Sequence, residues 1–163
     1  MHNLTRAGVV LIVVALLPLL AAAAQNADSR EIATYRMTDA TLAKFIRASR
    51  AMAAVAKPAP SDTAEGAEDD DESSDADQSI AQIAGMYDTI PAARRAITGA
   101  GLTTREYVVF TMTLFQAGMG AWLVEQQGWD KLPPEIAREN VLFYQRHKAQ
   151  LDSVTVELKR EAP

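Results

Sequence analysis

LTTREYVVFTMTLFQAGMGAWLVEQQG, residues 102–128, carries the plan of the chain. Thr103 followed three residues later by Glu106 is a capping box, each side chain able to satisfy a backbone N–H that the first helical turn leaves unpaired. Leu102 and Tyr107 flank the box as a hydrophobic staple. No charged residue occurs from Tyr107 to Val124. Val108, Met112, Phe115, Met119 and Trp122 recur at spacings of four and three, which aligns them on one helical face. The other face is small: Thr113, Ala117, Gly120 and Ala121 admit a close backbone neighbour. A helix without a charged face must be covered on both sides, so the stretch reads as the central helix of a bundle. Its uncharged run is also near the minimum for a bilayer span, which makes a membrane crossing through 107–124 an alternative. Thr111, Thr113 and Gln116 at its middle, and no cationic cluster at either end, favour the core helix.

Upstream, Arg6, the apolar run Val9 to Leu20 and then Ala21 to Ala24 have the order of a secretory signal. Cleavage after Ala24 starts the mature chain at Gln25, in the periplasm or the medium, whereas retention leaves an anchor. The chain has no cysteine, which excludes lipoprotein attachment, disulfides, thiolate metal sites and a cysteine nucleophile.

Residues 25–37 read as an N-terminal extension, and 38–57 as the first helix of the bundle, capped by Thr38 and stopped by Pro58. Leu42, Phe45, Ile46, Ser49, Met52, Ala53 and Ala56 share its inner arc, while Lys44, Arg47, Arg50 and Lys57 form a basic outer face. Residues 58–77, PAPSDTAEGAEDDDESSDAD, hold nine acids, no base and almost no large apolar side chain. Such a segment cannot bury enough surface to offset its ordering entropy and is expected to be a disordered acidic linker. It does not fit a calcium loop: with Asp71 as first ligand, Ala76 stands where glycine is needed and Gln82 where a bidentate glutamate is needed. The whole chain has 16 Lys and Arg against 21 Asp and Glu. With the linker acids set aside the balance turns mildly basic, so the acidity belongs to the tether, which could screen a basic face of its own domain.

Residues 78–160 supply the remaining helices of the same domain. Ser79 to Tyr87 and Pro91 to Gly99 are short helices, and Gly99, Ala100 and Gly101 turn into the central one. Arg94 and Arg95 invite a helix-turn-helix reading, but a recognition helix needs polar base-reading side chains and the following helix is hydrophobic, so no nucleic acid is expected. After Gly128 and the crossing loop 129–134, a last helix runs from about Pro134 or Asn140 to Arg160. Tyr144, His147, Leu151, Val154 and Leu158 form its inward seam, with Val141 and Phe143 beside it. The expected fold is all-α, a small bundle of about four helices with a disordered acidic insertion.

His147 is the one histidine outside the signal and sits on that seam. It is the candidate ligand of an alternative reading, a haem or metal carrier, with Met37, Met52, Met86, Met112 or Met119 as a second ligand. Catalytic readings find no support: there is no nucleophile elbow around a serine and no glycine-rich phosphate loop. The segments 90–124, IPAARRAITGAGLTTREYVVFTMTLFQAGMGAWLV, and 35–57, YRMTDATLAKFIRASRAMAAVAK, resemble small exported bacterial helical proteins of an uncharacterised family. That resemblance implies a shared helical fold and no activity. The leading expectation is a non-catalytic exported binding protein without a cofactor. Its basic surface, Lys44, Arg47, Arg50, Arg94 and Arg95, would meet a protein or an anionic envelope component, and homo-oligomerisation is compatible with it.

Overall fold

The computed structural model describes residues 27–56 and 78–161. The expected signal segment 1–24 and acidic linker 58–77 lie outside the described residues. Within them the chain is all-helical, with six helices and no strand: α1 (27–34), α2 (Asp39–Ala56), α3 (Ile80–Thr89), α4 (Pro91–Gly99), α5 (Thr104–Gln127) and α6 (Arg138–Glu161). A 3₁₀ turn, Trp129–Lys131, links the last two. The extra helix is α1, where the sequence suggested only an extension. It has few apolar residues of its own and is held because Ile32, and Tyr35 just past its end, pack against the cluster of Ile80, Val108 and Val109.

Local chemistry sets the boundaries. At α5 the capping box is complete: Thr103 N–H donates to Glu106 Oε2 at 2.7 Å, and Glu106 N–H donates to Thr103 Oγ1 at 3.1 Å. The same device starts α3, between Ser79 and Gln82. Thr38 and Thr41 exchange bonds of the same kind at the start of α2. Gly101 and Gly128, with φ of 84° and 89°, take the left-handed conformations that admit the turns before and after α5. Past Gly128 the Arg138 guanidinium lies 4.4 Å from the centre of the Trp129 ring, fixing the loop against the start of α6.

α5 is central and packs against α2, α3, α4 and α6. Phe110, wholly buried, meets Leu42 and Ile46 of α2 and Phe143, Leu151 and Val154 of α6 in the main core. Ala48, Ile97, Ala100, Leu102 and Tyr107 form a second cluster between α2, α4 and the start of α5. Aromatic rings tie the clusters together: Phe45 stacks on Phe110 at 4.7 Å and on Tyr107 at 5.2 Å, and Tyr35 and Tyr87 close the two ends edge-on. Burial pushes the Tyr107 phenol above its ordinary pKa, and the hydrogen bond to Ser49 partly offsets this.

The faces of α5 depart from expectation. Its small side is the buried one: Thr113, Ala117, Gly120 and Ala121 are all inside. A Cβ on Gly120 would stand 2.9 Å from Val141 and 3.0 Å from Ile136, so glycine is what lets α6 and its leading loop approach. Of the bulky stripe only Val108 is buried and Met112 half-buried; Phe115, Met119 and Trp122 are exposed. Helix lengths explain it. At 1.5 Å per residue α3 spans about 15 Å and α5 about 36 Å, and α3 lies against Val108, Val109 and Met112 at the front of α5. Beyond them that face has no covering helix among the described residues.

Candidate functional site

The basic residues do not form one open surface. Arg47 of α2 donates to the Ala100 carbonyl at 3.1 Å, across the end of α4. Arg50 makes a two-pronged pair with Glu157 of α6, at 2.9 and 2.7 Å. Both guanidinium groups therefore act as cross-helix pins. Together with Arg95 they line a shallow hollow of about 410 Å³ between α2 and α4. Arg94 is exposed outside that lining, and Lys44 extends its methylenes toward Gly101.

His147 is also engaged within the fold. Its Nε2 lies 2.9 Å from Asp39 Oδ1, off the direction needed for a hydrogen bond, and its Nδ1 lies 3.3 Å from Gln150 Oε1. The ring packs 4.3 Å from that of Phe143. With an oxygen at each nitrogen, His147 is placed as a contact between α6 and the start of α2. Among the described residues no group of three or more histidines and carboxylates gathers as a metal site. The methionines are scattered: Met37 in the main core, Met52 beside the second cluster, Met112 in a groove against α3, Met86 and Met119 exposed.

The structure instead singles out a surface that the sequence reading placed in the core. Thr111, Leu114, Phe115, Gly118, Met119 and Trp122 of α5, with Tyr144 of α6, line an open apolar groove of about 540 Å³. Phe115 is 64% exposed, Trp122 62% and Met119 46%. Large apolar side chains this exposed, contiguous on one helix, mark an interaction surface more often than a chance of packing. Gly118 shapes the floor: a Cβ there would press within 3.3 Å of the Tyr144 ring. The polar groups are few, and the Thr111 hydroxyl is turned back to the Tyr107 carbonyl at 2.8 Å. Toward the far end the chain regains charge at Glu125, which lies near Lys148. The Asp152 carboxylate, 2.6 Å from Lys148 Nζ, holds that ammonium above the usual lysine range. The groove thus offers apolar area and no nucleophile paired with a base. By length and composition α5 is also apolar enough to cross a membrane, while its small face is committed to α6.

The signal for this groove was present in the stripe Phe115, Met119 and Trp122, but periodicity reports which residues share a face and not which face is covered. Against protein-family models, curated proteins and solved structures, the chain has no match.

Proposed function

We propose that this chain is a non-catalytic, exported helical interaction protein whose working surface is the groove along the second half of α5. The observation that carries the reading is the pair Phe115 and Trp122, each more than three-fifths exposed on the uncharged stretch 107–124 of α5. The vacancy runs along the helix axis beyond α3, so the shape it accepts is another helix with apolar anchors at i, i+4 and i+7. Export rests on the run Val9 to Leu20 and the alanines that follow. It predicts an intact mass beginning at Gln25 for protein recovered from outside the cytoplasm; a mass that includes residues 1–24 would refute cleavage.

The groove is tested in its own cells with a photo-reactive amino acid at position 119, compared with the same group at position 156, an exposed site on α6. A discrete adduct is expected from 119 alone and should disappear with Trp122→Asp. Equal labelling at both positions, or none at 119, would overturn the reading.

A second, smaller surface is the hollow lined by Arg47, Arg50 and Arg95, which favours an anionic component. Charge reversal at Arg95 leaves the cross-helix pins in place and should abolish retention on anionic vesicles if that component is lipid.

A further inference from the structure

The groove leaves a helix-shaped vacancy, and one helix of suitable length, polarity and surface is that same stretch of a second copy. We infer that this protein forms a two-fold dimer through the second half of α5, packed antiparallel across the axis; the inference rests on the groove being a binding face. The register follows from the stripe. An axis passing between Gly118 and Met119 sets Phe115 opposite the partner copy's Trp122, and Met119 over Gly118 of the other chain with the Tyr144 ring beside it, so each bulky residue meets an aromatic ring. A two-fold interface must be complementary to itself, and this pattern is.

Charge favours the antiparallel orientation. No charged residue lies between Tyr107 and Val124, so antiparallel contact buries none, and each Glu125 falls near the other helix's Met112 and away from its own copy. A parallel pair would set the two Glu125 side by side and bring both α3 helices to the same end. With a buried aromatic worth roughly 150–250 Å², the exposed parts of Phe115 and Trp122, together with Met119, present on the order of 400 Å² of apolar area. That lies within the roughly 300–600 Å² of the largest patch on a typical monomer, a patch that is often functional. It is also about half of the roughly 800 Å² that a stable interface takes from each partner. Thr111, Gln126 and the half-buried Tyr144 flank the stripe and widen it. In the dimer the two α5–α6 pairs make a four-helix arrangement, which covers the bare half of each α5.

Sedimentation equilibrium of the purified protein should show a dimer. Trp122→Glu should weaken it by roughly 30-fold or more, the scale of an interfacial tryptophan hot spot, with the helical circular dichroism unchanged because the side chain is exposed. The absence of cysteine makes the orientation directly readable: a mixture of Phe115→Cys and Trp122→Cys chains should oxidise to the mixed disulfide, while Phe115→Cys alone should not cross-link. A monomer at every concentration, or a dimer indifferent to Trp122→Glu, would overturn the inference. Cross-linking of Phe115→Cys with itself would overturn the antiparallel arrangement. A monomer that still yields a photo-adduct at position 119 with a different protein would sink self-association and leave the groove reading standing.

Discussion

Asn140 is the most consequential polar side chain in the interior. It is almost wholly buried, accepts from the Met37 N–H at 3.1 Å and donates to the Tyr35 carbonyl at 2.8 Å. Between α1 and α2 the Met37 N–H and the Tyr35 carbonyl lie outside the helical ladders, and one amide reaches both. Asn140→Ala should therefore cost about 1–3 kcal/mol, since the buried Met37 N–H loses its partner while the Tyr35 carbonyl keeps the Arg36 guanidinium at 3.1 Å, and urea unfolding measures it. Glycines give the opposite contrast. Gly120→Ala should cost about 1–3 kcal/mol by forcing Val141, Ile136 and Leu132 apart. Gly85→Ala, with nothing within 4 Å of the added methyl, should raise stability by roughly 0.5–1 kcal/mol through helix propensity. Thermal melts of the two variants should shift in opposite directions. The close approach at Gly120 was legible in the small face of α5, whereas the bonds of Asn140 were not: it stood only as a candidate helix start, and its partners lie more than a hundred residues away.

Among the elements, α5 shows what sequence can and cannot convey. Its start was readable because a capping box is local, and the Thr103–Glu106 exchange is present as expected. The bonds from Thr103 hold the Glu106 carboxyl below its ordinary pKa. A lowered folded pKa means stability that is present above about pH 4.3, the ordinary glutamate value, and is lost as pH falls through the folded value. Glu106→Gln should flatten that acid limb in melting temperatures recorded against pH. Thr103→Ala should cost about 1 kcal/mol at neutral pH. What could not be read was which face of α5 is covered, because that depends on α3 being only ten residues long and on α6 choosing the small side. The two phenylalanines make the outcome measurable in dilute protein: Phe110→Ala should cost about 3–5 kcal/mol, and Phe115→Ala should stay within about 0.5 kcal/mol. Helix α1 escaped notice for a related reason, since its apolar residues matter only through α3 and α5.

For the whole molecule, the class was accessible from composition and periodicity, and the all-helical arrangement follows them. The exposed groove on α5 was not, because exposure is a property of the assembled bundle. Lys44, Arg47, Arg50, Arg94 and Arg95 shared a sign in the sequence, yet assembly spends two of them on Ala100 and Glu157. If the exposed stripe Phe115, Met119 and Trp122 closes on a second copy, melting temperature should rise with protein concentration, and Trp122→Glu should remove that dependence in a calorimetric dilution series.

The bonds from Asn140 to Tyr35 and Met37 also join parts of the polypeptide that are made far apart in time. The beginning of α2 emerges from the ribosome long before the first turn of α6 exists to hold it, and Leu42 and Ile46 await Phe143, Leu151 and Val154 for their covering. Closing contacts that span so much chain are slow to form and cannot form early. In a nascent chain of this topology the main core stays open until the last helix is complete, while the cluster between α2, α4 and the start of α5 is free to close before it.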